Sequence, residues 1–458
     1  METKLRVTIA GASGFVGANL LNAVPTNWQI HALSRGKSRS AGAVEWREAD
    51  LFSLQSSVEA LKDTDVAIYL VHSMLPSTRL FQGNFADTDL LIADNFATAC
   101  IENGVKQIIY LGGLVPTSSI SKHLASRKEV EEVFRATGIP CTILRAGMVA
   151  GSGGSSFEIL RSLVTNLPAM ILPQWTQVGT QVIYIDDLVR VLLASVMNQD
   201  FFDQTIDVVN GEKLNYENLI LISCHALGKN RFLLRVPINS TAFSKLWVSL
   251  FGNANYELVA PLIDSLLCEL PQDPPVALIA GHIEFRTFAQ MLEIILSAPL
   301  KKRSGSRTRQ LHENSVRSIQ RLPSLPAMNC DEIAETYEKW LPMASLGFIN
   351  VAPDRGDGVV KFRLKFLPWP LLVLKRMQNS SAEVQRAKFH IVGGLLAKRS
   401  DCGWLEFRQT ANKKFTLASI NEFVPTLPWY IYRFSQAIIH KKVMTAFARG
   451  LGSGKLPY

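Results

Sequence analysis

The residues best suited to chemistry lie near the start of the chain, where the run VTIAGASGFVG places glycines at Gly11, Gly14 and Gly17. Each glycine meets a separate demand of a phosphate-binding turn. Gly11 allows a tight turn, Gly14 lets the backbone approach a pyrophosphate, and Gly17 lets a helix pack closely on the preceding strand. The turn Gly11-Ala12-Ser13-Gly14-Phe15-Val16-Gly17 is therefore expected to bind a dinucleotide, with free N–H groups and a partial positive charge at the helix start facing the phosphates. Leu5, Val7 and Ile9 alternate with Arg6 and Thr8, which predicts the strand that must feed such a turn.

After the second predicted strand comes Ser34-Arg35-Gly36-Lys37. A site that prefers NAD presents an acidic residue there to the ribose 2′-hydroxyl, whereas an arginine suits a 2′-phosphate. NADP(H) is thus the expected cofactor, with NAD(H) as the alternative. Val71, at the end of the fourth strand, completes the candidate cofactor contacts. No metal site is expected, because the six cysteines show no CxxC or Cys/His ligand spacing.

The elements that hold these residues alternate. Strands are predicted at Leu5 to Ala10, Trp28 to Leu33, Val44 to Arg47, Val66 to Val71, Gln107 to Leu111 and Cys141 to Ala146, with helices between them, the clearest from about Phe85 to Asn103. Repeated strand-helix-strand units mean a doubly wound parallel sheet, an α/β Rossmann domain. The reading assigns residues 1–200 to this domain and 201–298 to a cap over the sheet's carboxyl edge, with a short strand at Thr205 to Val209. A basic linker follows at 299–328, then a C-terminal α+β domain at 329–458. In that domain Lys361 to Phe366, Ala387 to Leu396, Trp404 to Gln409 and Phe415 to Phe423 read as β segments. A helix from about Trp429 to Arg449 is expected to turn Ile431, Phe434 and Ile438 inward, giving the outline of a helix-grip fold that can enclose an apolar ligand.

Composition narrows the partners. Of 458 residues, 48 are Lys or Arg and 39 are Asp or Glu, and the excess concentrates between 301 and 321, where seven basic residues face Glu313 alone. That distribution argues against a nucleic-acid protein with a basic face over its whole body. It leaves a solvated linker or a weak contact with an anionic surface. No apolar run reaches the ~20 residues of a membrane-spanning helix. The first strand, expected from about Lys4, leaves no room for a leader, and scattered cysteines fit a reducing cytoplasm. A small-molecule substrate is the expected partner; oligomeric state is not legible.

Five blocks in order, GASGFVG, YLVHSM (69–74), YLGGL (110–114), HLASR (123–127) and LRAGMVAGSGGSSFEILRSL (144–163), carry a resemblance. The chain resembles atypical, extended short-chain dehydrogenases, and more closely the bacterial NAD(P)-binding, epimerase-like (NmrA-like) oxidoreductases with an extra C-terminal domain. The resemblance is dense over residues 4 to 190 and faint beyond 330. It implies that Asp50-Leu51 contacts adenine, that Asp186-Asp187 starts a helix linking cofactor and cap regions, and that 151–157 is a loop near the nicotinamide, closing over substrate or merely connecting.

Catalytic members of the wider superfamily use Tyr-x-x-x-Lys where this chain has His123 and Arg127. The i, i+4 spacing keeps both on one helix face. Arg127 can hydrogen-bond ribose hydroxyls but does not release its proton. His123 is open to three roles: helix cap, general acid titrating near neutrality, or substrate contact. Ser73 is an alternative hydroxyl. The resemblance implies an oxidoreductase or epimerase-like enzyme acting on a small organic carbonyl. Its rivals are a non-catalytic dinucleotide sensor or assembly factor, and a hydrophobic-ligand carrier acting through the C-terminal domain.

Overall fold

The computed structural model describes residues 4–36, 44–72, 80–116, 120–237, 264–265, 268–271, 284–297, 315–325, 328–354, 356–377, 385–398, 403–454 and 456. The chain divides into two compact units, residues 1–75 with 95–307, and residues 76–94 with 308–458.

In chain order the strands are β1 (Arg6–Ala10), β2 (Gln29–Ser34), β3 (Val44–Glu48), β4 (Val66–Tyr69), β5 (Leu80–Gln82), β6 (Gln107–Gly113) and β7 (Cys141–Ala146). The short strands β8 (Met148–Ala150), β9 (Ala169–Pro173), β10 (Gly179–Thr180) and β11 (Val182–Tyr184) follow, then β12 (Thr205–Val208), β13 (Leu214–Asn215) and β14 (Phe232–Val236). The helices among them are α1 (Phe15–Ala23), α2 (Leu54–Ala60), α3 (Phe85–Glu102), α4 (Lys122–Arg135), α5 (Ser155–Asn166), α6 (Ile185–Ala194), α7 (Tyr216–Ala226) and α8 (Phe288–Ser297).

The first unit is a seven-stranded parallel sheet in the order β12-β7-β6-β4-β1-β2-β3. Strands β1 and β4 are buried nearly throughout, as central strands covered on both faces must be, while β3 alternates polar and apolar at the edge. From β1 the chain winds first toward β3 and then, from β4 onward, the other way. The direction changes between β1 and β4, and a ligand binds in the crevice such a change opens. One expectation is corrected here. Thr205–Val208 is not a cap strand; it pairs in parallel with β7 as the sheet's seventh strand, because Ile206 and Val208 bury against the sheet's core.

The second unit contains β5, β15 (Val316–Pro323), β16 (Ile349–Asp354), β17 (Val359–Leu364), β18 (Pro370–Arg376), β19 (Arg386–Gly393), β20 (Trp404–Gln409) and β21 (Phe415–Phe423). They form one eight-stranded sheet in the order β16-β17-β18-β19-β20-β21-β15-β5, antiparallel except for the β15–β5 pair. Its helices are α9 (Cys330–Ala344), α10 (Trp429–Phe434) and α11 (Gln436–Gly452). Between helices and sheet the interior is filled with rings: Tyr337 lies 5.1 Å from Phe447 and 6.0 Å from Phe407, and Trp340 lies 5.2 Å from Phe447.

Two further expectations change in this unit. Arg317 and Arg321 of the expected basic linker belong to β15, where Arg321 reaches Asp87 at 3.0 Å, and residues 298–314 lie outside the described residues. The single C-terminal helix is broken at Ser435, whose φ of −125° and ψ of −87° are not helical. The break resets the helical phase, so Tyr432, Ala437, Met444, Phe447 and Leu451 face inward while Ile431, Phe434 and Ile438 are exposed.

Candidate active site

The glycine turn sits where β1 ends, against β4. Gly11 has a φ of +85°, and a Cβ there would stand 3.0 Å from the Leu70 backbone, so both conformation and space call for glycine. At Gly17 a Cβ would lie 2.3 Å from the Gly11 carbonyl oxygen, which ties that glycine to helix–strand packing. The Gly14 N–H donates to the Gly11 carbonyl at 2.9 Å, and Gly14 is the N-cap of α1 with no side chain capping the first turn. A helix start of this kind fits the phosphates of a dinucleotide.

The loop at 151–157 has a reason for its glycines that the sequence does not display. A Cβ on Gly151 or Gly154 would meet the Phe15 ring at 2.8 and 2.9 Å, so Phe15 of the phosphate turn is seated on this loop. Gly154 also starts α5.

Where the resemblance implies an adenine contact, Asp50 Oδ1 accepts from the Phe52 N–H at 3.2 Å, and the Asp50 N–H donates to Ser56 Oγ at 3.0 Å. The Leu51 carbonyl accepts from Asn95 Nδ2 at 2.7 Å. Ser34 Oγ accepts from the Gly36 N–H at 3.3 Å, and Arg35 is exposed beside it. Lys37 and Ser73 lie outside the described residues.

Helix α4 carries His123 and Arg127 and is held from two sides. Phe134 packs among Tyr69, Tyr110 and Phe96 at centroid distances of 5.0, 5.4 and 6.2 Å. Glu131 of α4 takes a two-pronged ion pair from Arg145 of β7, at 2.9 and 2.6 Å. Arg127 is buried, and its Nη1 donates to the carbonyl of Val71 at 3.4 Å. This brings two of the cofactor candidates together.

His123 does not cap α4. Ser121 does, accepting from the Leu124 N–H at 3.2 Å, and it also lies 3.0 Å from Ser265 Oγ. Burial first, and then the Arg127 guanidinium, push the His123 imidazole down to about 4. It is therefore neutral at pH 7, and the near-neutral titration expected of it does not survive this environment.

His123 lines a cavity of about 240 Å³ at the carboxyl ends of β6 and β7. Gly113, Leu114, Met148, Leu160 and Leu163 also line it, and the wall is overwhelmingly apolar. Its polar groups include residues not singled out from sequence. Thr180 Oγ1 donates to the Tyr216 hydroxyl at 3.1 Å, and Trp175 packs edge-on to the Tyr216 ring at 5.6 Å. Burial raises the Tyr216 phenol to about 12. No local motif marks Tyr216. It merely lies between Asn215 and Asn218 of the capping box that starts α7, and only the fold brings it to the cavity.

Asp186 and Asp187 open α6 as the resemblance implies, but Asp187 is wholly buried and paired with Arg190 and Arg286. This is structural pairing. Among the described residues no group of His, Cys, Asp and Glu could hold a metal ion.

Residues 3–240 match the NmrA-like family. The chain belongs to the NmrA-like family. The NmrA-like part also shares its fold with solved enzymes. The triphenylmethane reductase of Citrobacter sp., complexed with NADP(H), superposes with a TM-score of 0.50 at 18% identity, over 64% of this chain and 100% of that one. The NADPH-dependent quinone oxidoreductase of Escherichia coli, complexed with NADPH, gives 0.51 at 17% identity, over 63% and 99%. Auxiliary protein GraX of Staphylococcus aureus is 28% identical over 113 residues, 24% of this chain, and the match spans 37% of that protein's length. No described helix is long and apolar enough to cross a membrane.

Proposed function

We propose that the chain is an NADP(H)-preferring oxidoreductase that reduces an apolar carbonyl compound or quinone in the cavity between α4, α5 and α7. The observation that supports it most is the pairing of a phosphate-binding turn at the β1/β4 crevice with an apolar cavity at the carboxyl ends of β6 and β7. The family membership and the shared fold of two NADPH-bound reductases agree with it.

When bound, the dinucleotide supplies hydride; the chain's residues bind, orient and protonate. Gly11 to Gly17 hold the pyrophosphate, Asp50 and Leu51 border the adenine, Arg35 meets the 2′-phosphate, and Arg127 holds a ribose beside Val71. A neutral His123 serves as a hydrogen-bonding partner for the substrate oxygen. The Tyr216 phenol, still protonated at pH 7 and accepting from Thr180, keeps its own proton to give to the reduced oxygen. A wall this apolar suits an aromatic or aliphatic carbonyl better than a sugar nucleotide. A cytoplasmic setting is part of the proposal, in keeping with five buried, unbridged cysteines among the described residues.

The sensor reading is favoured by one observation, the low proton affinity of His123 in place of the superfamily tyrosine. A panel of quinones, aryl aldehydes and ketones with NADPH separates the two. Turnover that falls about a hundredfold in Tyr216→Phe supports the enzyme. Binding of NADPH without turnover of any panel member, with Tyr216→Phe unchanged, supports the sensor.

A further inference from the structure

The chain's positive charge and its exposed aromatic residues concentrate in the same unit. The unit, residues 76–94 with 308–458, holds 23 Lys and Arg against 14 Asp and Glu, which accounts for the whole excess of the chain, 48 against 39. Six of the exposed large aromatic side chains among the described residues belong to this unit, and one, Phe232, to the other.

Five of these side chains lie on segments that backbone hydrogen bonds connect. Phe348 and Phe366 have ring centroids 6.4 Å apart, and the Lys365 N–H donates to the Phe348 carbonyl at 2.9 Å. Phe366 leads through Leu367 into Trp369 at the turn between β17 and β18. The Leu395 N–H donates to the Pro370 carbonyl at 3.0 Å, and the Thr426 N–H to the Leu396 carbonyl at 3.0 Å. From Thr426 the chain runs directly into Trp429 and Tyr430, whose rings lie 5.9 Å apart. Phe366 is 79% exposed and Trp369 62%. A core position would bury such groups, and exposed aromatic clusters of this kind mark an interaction surface.

The two segments that build the patch lack acids. Between Asp357 and Glu383 the chain carries Lys361, Arg363, Lys365, Lys375 and Arg376, and after Glu422 it carries Arg433, Lys441, Lys442, Arg449 and Lys455, with no Asp or Glu in either stretch. Of these, Arg376 is paired with Asp331 and Glu335 of α9; the remaining cations would repel a second copy of this surface on approach. Aromatic side chains with lysine and arginine around them match the headgroup layer of an anionic bilayer, where rings sit at the interface and cations meet lipid phosphates.

We propose that the β17–β18 turn and the start of α10 dock the second unit on an anionic lipid surface. Phe366, Trp369 and Trp429 enter the headgroup layer, and Lys365, Arg363 and Arg433 lie against lipid phosphates. The contact is peripheral, since no described helix could span a bilayer. It involves different residues from the 301–321 run, whose Arg317 and Arg321 are engaged in β15. It is independent of the redox reading.

The test is sedimentation of the full chain with vesicles of phosphatidylcholine, with and without phosphatidylglycerol, at low and high salt. Binding should require phosphatidylglycerol, weaken with salt, and fall about tenfold or more in the double variant Phe366→Ser, Trp369→Ser, and likewise in Lys365→Glu, Arg433→Glu. These side chains are exposed, so both double variants should keep the parent melting temperature and NADPH affinity. Absence of binding, equal binding to neutral vesicles, or unchanged binding by folded variants would overturn the proposal. So would self-association in ultracentrifugation that the Phe366→Ser, Trp369→Ser variant abolishes, which would make a second copy the occupant.

Discussion

Arg408 Nη2 lies 2.6 Å from Asp94 Oδ2, and both side chains are 1% exposed. Asp94 belongs to the stretch that joins the second unit from within α3, so the pair fastens sequence-distant segments of that unit. Burial raises the Asp94 carboxyl, opposed by the guanidinium and by the Ala411 N–H, which donates at 2.6 Å. Removing one partner leaves the other charge buried alone. Arg408→Met should therefore cost about 3 to 5 kcal/mol of stability, while Asp94→Asn together with Arg408→Met should recover part of the loss. Urea unfolding of Arg408→Met, Asp94→Asn and the double variant checks this; an additive double variant would mean the two residues do not couple.

The glycine turn separates fold from binding. At Gly14 an added Cβ meets only the Gly11 carbonyl oxygen at 3.1 Å, while at Gly17 it meets backbone at 2.3 and 2.6 Å. Gly14→Val should keep a near-parent melting temperature and lose NADPH binding by calorimetry. Gly17→Val should lose the fold as well. Unchanged NADPH affinity in Gly14→Val would remove the turn from the site.

The proposed NADP(H) preference rests on Arg35. Charge-assisted hydrogen bonds contribute about 1.5 to 3 kcal/mol, so Arg35→Ala should weaken NADPH roughly ten- to a hundredfold and leave NADH nearly unchanged. Equal losses for both cofactors would contradict this assignment.

Arg317 and Arg321 should resist trypsin. Both lie in β15, which pairs with β21 along its length and with β5 at Val316–Ser318, and the Arg321 guanidinium stacks over the Phe415 ring at 4.4 Å. A protease requires an extended, unpaired segment, which a strand paired in a sheet withholds. Mass analysis of native digests should find no cleavage after either residue. Early cuts there would mean that β15 is not stably paired.

Much of this architecture is legible in the sequence, for reasons that also mark where legibility ends. The central Rossmann strands can be read because each is a largely buried apolar run, and GASGFVG because three glycines at fixed spacing answer three local demands. Strand β5 cannot be read: three residues, Leu80–Gln82, take their order from a partner more than 230 residues away. The same limit hides Tyr216 and Thr180, which meet only through tertiary packing. It also explains the reversed helix face at Ile431, Phe434 and Ile438, since periodicity assumes an unbroken helix and Ser435 breaks it. Likewise i, i+4 spacing places His123 beside Arg127, but not the burial that sets its protonation.

That burial leads to the last prediction. His123 has an ordinary pKa of 6.5 and is pushed down to about 4 in the folded chain, first by desolvation and then by Arg127. A group that binds its proton more weakly when folded makes the unfolded chain the better proton acceptor between those two values. Stability then falls as pH drops from about 6.5 through 4, and it is independent of this group above that window. His123→Gln should flatten the pH dependence of the melting temperature between pH 6.5 and 4 and leave it unchanged above pH 7. In a turnover assay the parent should show no His123-dependent inflection near neutrality, because the neutral imidazole is already the resident form. Parallel melting curves for parent and variant across the acid range would show that His123 titrates normally. Arg127→Ala provides the control: with the guanidinium gone, the His123 transition should move upward toward its ordinary value, and NMR of the imidazole would record that shift directly.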